Sequence, residues 1–303
     1  MRHYFIINPA AGKGAAKGLP PKIEACFRGR GEEYLLHVTA APGDGTAYVA
    51  DQCRLHPGEP LRFYACGGDG TAGEVARGLQ GHPHAALGLV PCGSGNDLVR
   101  NFPHRDFLDL SAQLAGEEVA MDLIDFCGRT AVNLCNCGVD ADVAHNMPLF
   151  RRLPMVSGPM AYQLSILYTF FRPLGKGAVV TLDGGPPLEG ELLLFLCANG
   201  RYYGGGYQGA PLARVDDGLL DVCIVPKLGR TKILRILGRY QRGLHVSDPE
   251  LSRLITYRQV RRVEARFSQP VTVCLDGETF RGDRVTARVL PGAVRLVLPA
   301  AKK

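Results

Sequence analysis

Three glycine-bearing turns, each following an apolar run, constrain this sequence more than any bulk property. Asn8-Pro9-Ala10-Ala11-Gly12-Lys13-Gly14 closes a strand expected at Tyr4 to Asn8. Gly67-Gly68-Asp69-Gly70-Thr71 follows a strand expected at Leu61 to Cys66, and Pro91-Cys92-Gly93-Ser94-Gly95-Asn96-Asp97 one at Leu87 to Pro91. A further strand is expected at Glu33 to Thr39, and helices at Gly18 to Arg28, Gly43 to Leu55 and Ala72 to Gln80. Strand–turn–helix repeats of this length predict a parallel sheet with helices on both faces. Parallel strands end on one edge, so all three turns should open into one crevice. Glycine lets backbone N–H groups approach a polyphosphate, and the helix start that follows favours negative charge. Asp69 would repel phosphate unless Mg²⁺ and its waters stood between them. A bare Gly-Gly would suit an ordinary turn; three such turns on one edge read as a nucleotide site.

Past about Met121 the texture changes. Ala131 to Cys135, Ala178 to Leu182, Glu191 to Ala198, Leu219 to Val225, Gln259 to Ala265, Val271 to Leu275 and Val285 to Leu290 read as short strands. Turn signals such as Asp183-Gly184, Asp217-Gly218 and Asp276-Gly277 separate them, which predicts an antiparallel β domain. Two helices should interrupt it, near 159–171 and 231–242. The expected fold is thus an α/β N-terminal Rossmann-like domain with a parallel sheet over 1–123, then a C-terminal antiparallel β-sandwich domain over 124–292. A last strand, Val294 to Leu298 within 293–303, is free to return to either domain.

Composition narrows the class by exclusion. Hydrophobic residues are 46% and charged residues 21%, a globular balance. The ten cysteines form no C-x-x-C pair, which argues against a zinc site and for reduced core thiols in a cytoplasmic protein. The start does not read as a signal peptide, and no run reaches about 18 apolar residues. Met160 to Phe171 comes nearest; a buried helix is preferred to an interfacial one. From Pro226 to Arg266 eleven Lys or Arg stand against three acids, more than the whole chain's net charge of +6. Lys232, Arg235, Arg239 and Arg242 recur at helical spacing, ended by Gly243. That helix fits a solvated face or docking on an anionic membrane surface equally well. The basic segment is neither rich in aromatics nor a recognisable recognition motif, so no nucleic acid is expected.

Six segments in order carry a resemblance: Asn8 to Gly12, Gly67 to Thr71, Pro91 to Asp97, Tyr203 to Gly206, Asp217 to Asp221 and Asp276 to Glu278. The chain resembles the diacylglycerol kinase catalytic family of lipid kinases, which shares a two-domain architecture with NAD kinases. The resemblance implies an ATP site lined by Asn8, Pro9, Gly12, Thr39, Gly67, Gly68, Asp69, Gly70, Thr71, Gly73, Gly93, Ser94, Asn96 and Asp97. It implies Asp69, Asp97 and Asp122 around the nucleotide's Mg²⁺. A second Mg²⁺ would sit on Asp217 and the carbonyls of Arg214 and Leu219. Glu278 would be the general base, with Asp69 as its catalytic partner. Ser94 replaces the family's usual Thr and Gly73 its usual Asn, so the Gly73 contact is the one this sequence departs from.

Phosphoryl transfer asks a protein for positioning and charge neutralisation, and a carboxylate to take the acceptor's proton. The implied function is transfer of the γ-phosphoryl group of ATP to a lipid hydroxyl, diacylglycerol first, by a peripheral protein at the inner membrane face. The cluster Arg258, Arg261 and Arg262 joins the basic helix as a docking candidate. Two alternatives stand: an NAD kinase-like phosphotransferase acting on a soluble hydroxyl, and a non-catalytic nucleotide-binding regulator. The acceptor lipid and a homodimer are left open by the sequence.

Overall fold

The computed structural model describes residues 1–93, 95–153 and 156–301. Its N-terminal half alternates strands and helices: β1 (Arg2–Ile7), α1 (Leu19–Phe27), β2 (Glu33–Val38), α2 (Asp44–Leu55), β3 (Leu61–Gly67), α3 (Asp69–Leu79) and β4 (Ala85–Pro91). Strands β2, β1, β3 and β4 pair in parallel in that order. Every residue of β3 is buried, as continuous apolar strands covered on both faces must be. One face packs Val49 and Cys53 of α2 and Val75 and Leu79 of α3; the other packs Ile23 and Phe27 of α1.

The short α4 (Leu110–Leu114) leads into β5 (Glu117–Phe126), β6 (Arg129–Ala131) and β7 (Leu134–Gly138). The helical hairpin α5 (Val139–Arg151) and α6 (Gly158–Phe170) follows. Next come β8 (Lys176–Leu182), β9 (Leu188–Ala198), β10 (Leu220–Pro226), α7 (Arg230–Gln241), α8 (Pro249–Leu254) and β11 (Thr256–Val260). The long β12 (Arg262–Leu275) and β13 (Glu278–Leu298) end the order. All these strands pair antiparallel, with β12 and β9 each bonded to both β7 and β8. That closure forms a β sandwich around Phe126, Phe195, Val263 and Val273.

The halves are joined by hydrogen bonds within one sheet. β13 runs antiparallel to β5 and β12, bulges between Leu290 and Val294, and then pairs parallel to β4 through Arg295 and Leu296. Val294, Leu296 and Leu298 sit in the N-terminal core.

Four sequence expectations need correction. The strand expected at Gln259 to Ala265 is broken at Arg261, because the Arg261 and Arg262 amides both donate to Asp183 Oδ1 at the neighbouring turn. Val285 to Leu290 and Val294 to Leu298 belong to one strand, since the bulge bends β13 without ending it. Among the described residues four α-helices, not two, interrupt the β half. α5 escapes notice because it has no side-chain N-cap and carries Pro148 inside. Finally, α6 is not a buried helix. Its inward face is small or polar, with Ala161, Ser165 and Thr169 buried, while Met160, Leu167, Tyr168 and the following Phe171 are exposed. The small face matches α5 through hydrogen bonds from Ser165 Oγ to the Val143 carbonyl and from Asn146 Nδ2 to Thr169 Oγ1.

Candidate active site

The three glycine turns touch one another at the carboxyl edge of the parallel strands. A Cβ on Gly93 would lie 2.4 Å from the Gly68 Cα, and one on Gly12 would lie 1.9 Å from the Cys92 carbonyl oxygen. Gly12 also has φ +55°, where side chains are strained. The Cys92 and Gly93 amides both donate to the Gly67 carbonyl, and Asn8 Nδ2 donates to Thr71 Oγ1. Thr39 closes β2 beside them, its amide on the Ile7 carbonyl. Asn8 Oδ1 accepts the Ala10 amide across Pro9. Helix α3 begins at Asp69, so its first-turn amides lack intrahelical acceptors and its dipole points positive into the turns.

Asp69 organises this edge. Its Oδ2 accepts the Asp97 amide and its Oδ1 the Leu98 amide, each at 3.0 Å. Asn96, at φ +51°, folds back on Gly93 through both of its amide atoms. Asp97 reaches the second lobe: its Oδ2 accepts the Gly205 amide at 3.0 Å, and Arg100 Nε lies 3.2 Å from its Oδ1. Burial holds the Asp97 carboxyl above its usual range; Gly205 and Arg100 oppose that, and Asp69 adds to it. Two carboxylates share this corner against one guanidinium, a donor set that suits a divalent cation carrying phosphates. Ser94 lies outside the described residues.

The hairpin Leu275-Asp276-Gly277-Glu278 presses against α3 from the other lobe. Positive φ at Asp276 (+46°) and Gly277 (+94°) makes it a tight turn of the kind Asp-Gly favours. Asp276 accepts the backbone amides of Val132, Asn133 and Leu134. Burial nonetheless pushes its carboxyl up to about 7, with those amides pulling down and the Asp69 charge pushing up. Asp276 Oδ2 lies 3.7 Å from where a Cβ on Gly73 would stand, so Gly73 faces this turn. Glu278 follows at once, exposed, at the start of β13. Its neighbour Thr279 meets His145 of α5 at 3.3 Å.

Asp122 lies on β5. Its carboxylate oxygens accept the Gly218 and Gly292 amides at 2.6 and 2.7 Å, fastening β5 to the Asp217 turn and the β13 bulge. Asp217 accepts the Leu219 amide, and burial, with Asp122 nearby, raises its carboxyl. Asp122 and Asp217, whose charges act on one another against that of Arg214, fit a cation at that turn. The Arg214 Nε donates to Asp216 Oδ1 at 3.2 Å.

Sequence reasoning missed Arg100, Asp276 as an anchor, and a buried polar cluster behind Gly205. In that cluster the Tyr203 hydroxyl donates to Asp140 and lies 3.3 Å from the Tyr240 hydroxyl. Burial raises both the Asp140 carboxyl and the Tyr203 phenol. Only the Tyr203 to Gly206 motif hinted at it; Asp140 and Arg100 carry no sequence signal.

Two family models match the chain: a "Diacylglycerol kinase catalytic domain" over residues 2–126, and a "YegS C-terminal NAD kinase beta sandwich-like domain" over 133–298. The chain is 34% identical to a "Probable lipid kinase YegS-like" of Pseudomonas aeruginosa, covering 91% of this chain and 88% of that one. It is 28% identical to a diacylglycerol kinase of Bacillus subtilis, covering 91% and 89%. A crystal structure of a diacylglycerol kinase from Bacillus anthracis shares the fold, with a TM-score of 0.70 at 19% identity, covering 98% of this chain and 96% of that one. The class is therefore that of kinases with an α/β nucleotide lobe joined to a β-sandwich lobe. Within it, the chain belongs to the diacylglycerol kinase catalytic-domain family of YegS-like lipid kinases.

Proposed function

We propose that this lipid kinase transfers the γ-phosphoryl group of Mg²⁺-bound ATP to the hydroxyl of diacylglycerol, giving phosphatidic acid. The observation that carries the reading is the meeting of the Asp276-Gly277 turn with the first turns of α3, which supports a role for Glu278, the next residue, at the glycine-lined edge. The first-turn amides of α3 and the packed backbones of Gly12, Gly68 and Gly93 support seating of a polyphosphate. Asp69 and Asp97 would hold Mg²⁺, which neutralises phosphate charge when bound. Asp217 would hold a second ion that ties its turn to β5. Glu278, which is exposed, would accept the proton of the attacking hydroxyl. The related diacylglycerol kinase of Bacillus subtilis supports the choice of acceptor.

The acceptor's chains demand a membrane surface. No helix among the described residues is long and apolar enough to cross one. Surface docking at the inner membrane face fits the outward apolar side of the α5–α6 hairpin, where Leu149, Leu153, Leu167 and Phe171 are 48–71% exposed. Arg151, Arg152 and Arg172 flank them, and α5 leads back through His145 to Thr279 beside Glu278. Helix α7 adjoins, since Arg230 donates to the Phe170 and Arg172 carbonyls. Its Arg239, however, is engaged by Asp248 and Glu250, so only part of the basic segment 226–266 is available to anionic headgroups.

The test is radiolabelled ATP with diacylglycerol, a ceramide, a sphingoid base and phosphatidylglycerol in mixed micelles, with NAD as a soluble comparison. Label in phosphatidic acid is expected. Label confined to NADP, or to another lipid, overturns the assignment of acceptor.

A further inference from the structure

The opposite edge of the N-terminal sheet holds a group of donors that the kinase chemistry does not use. Cys53 lies near the end of α2, and His82 and His84 lie in the turn between α3 and β4, before the amino end of that strand. The Cys53 Sγ and one ring nitrogen from each histidine all fall within 4.8 Å of one another. The glycine turns follow the carboxyl ends of the strands, so this group is remote from the nucleotide.

Three features make the group more than a chance encounter. First, its backbone is fixed. The His82 amide donates to the Leu79 carbonyl, the Ala85 amide to the His82 carbonyl, and the Leu61 amide to the His84 carbonyl. Helices α2 and α3 cross so closely that a Cβ on Gly78 would lie 2.7 Å from the Thr46 carbonyl oxygen and from Val49 Cβ. Second, His84 Nε2 is buried without any hydrogen-bond partner. A polar atom in that state destabilises the fold unless something meets it. Third, the donor chemistry is coherent: one thiol and two imidazoles, with no carboxylate, suit a borderline cation and not Mg²⁺ or Ca²⁺.

We infer that Cys53, His82 and His84 form a binding site for one divalent cation of the Zn²⁺ class, pinning α2 to the α3–β4 turn. Zn²⁺ takes sulfur at about 2.3 Å and imidazole nitrogen at about 2.0–2.1 Å. Donors within 4.8 Å of one another are near enough to share one such ion. Three protein donors leave the fourth tetrahedral position to water. The imidazoles bind neutral, and burial already holds the His82 ring below its usual range, with His84 and Arg54 adding to this. The Cys53 thiol, pushed up to about 11 by burial, gives up its proton to the solution as the metal–sulfur bond forms. Absence of C-x-x-C spacing does not bear on such a site, because its donors come from two elements brought together by folding.

Co²⁺ titration of the metal-stripped full-length protein tests this, in a Cys127→Ser background that removes the exposed thiol. One equivalent should produce a thiolate-to-cobalt charge-transfer band and tetrahedral visible bands. Cys53→Ser should abolish the charge-transfer band. His82→Ala and His84→Ala should each weaken Co²⁺ by about tenfold or more, as loss of a ligand does. Competition by Zn²⁺ should bleach the bands, and Zn²⁺ should raise the thermal midpoint of the parent but not of the variants. Lipid phosphorylation should persist in the variants, which certifies that they fold. No Co²⁺ band in the parent, or a band indifferent to both histidine substitutions in folded protein, overturns the inference.

Discussion

At the residue scale, the site depends on backbone proximity more than on side chains. Gly93 must lack a Cβ, because one there would lie 2.4 Å from the Gly68 Cα, a backbone atom that cannot rotate away, whereas a Cβ on Gly68 would meet Gly93 only at 3.3 Å. Gly93→Ala should therefore lower kcat/KM for ATP by about tenfold or more while leaving the β sandwich intact, since near-attack positioning tolerates little displacement. Steady-state kinetics alongside circular dichroism checks it. Gly73→Ala is the contrast: its new Cβ meets only Asp276 Oδ2 at 3.7 Å and should leave activity within about twofold, in line with ordinary contact distances. Asp276 supplies a pH dependence. Its folded-state carboxyl sits at about 7, above its unfolded value, so the protonated form favours the fold. The contribution is fully present below about pH 4, and it is lost as pH rises through about 7. Urea unfolding across pH 4.5 to 7.5 should show Asp276→Asn lacking that downward slope, whatever constant offset the substitution brings. A slope equal to that of the unsubstituted protein would remove Asp276 as its source.

At the scale of elements, the helices divide by how openly their sequences declare their faces. Helix α3 is legible: Gly67 to Thr71 starts it, and Val75 and Leu79 mark its buried side. Helix α6 is not legible by the same rule, because its apolar residues point away from the protein and its small polar residues point in. A pattern of apolar residues says that a face leaves water, not which partner it enters. The consequence is measurable. Leu167→Ser with Phe171→Ser should reduce sedimentation with anionic vesicles and raise the KM for lipid presented in vesicles. KM for ATP and thermal stability should stay nearly constant, because neither side chain is in the core. Each exposed large apolar side chain that enters a bilayer is worth about 1.5–3 kcal/mol, so the pair should weaken binding by at least tenfold. Unchanged sedimentation would remove the hairpin from the docking surface. Helix α7 shows the complementary case: its basic stripe is evident in the sequence, but its Arg239 is spent on Asp248 and Glu250, pairings that become visible only when α8 packs beside it.

At the scale of the whole molecule, the two lobes are one hydrogen-bonded sheet. β13 passes from the sandwich into the parallel half, and Asp122 bonds its bulge to the Asp217 turn. That continuity fixes the distance between the glycine edge and the Asp276 turn without a separate interface. The glycine turns and the Asp-Gly hairpin could be read in advance, because each is a local conformation with its own residue demands. Their meeting could not, because it follows from the register of β13 between β5, β12 and β4, which no local pattern states. The bonds of Asp122 were hidden for the same reason: its partners, Gly218 and Gly292, are distant in sequence. As the proposed general base, Glu278 would reach a lipid hydroxyl facing bound ATP by way of this shared sheet. The most direct measurement is phosphoryl transfer by Glu278→Gln in diacylglycerol mixed micelles, with ATP affinity determined in parallel. Lipid phosphorylation should fall by about 10² or more while ATP affinity stays within about twofold, the pattern of a lost general base. Full transfer by the variant, or loss of ATP binding in step with activity, would contradict it.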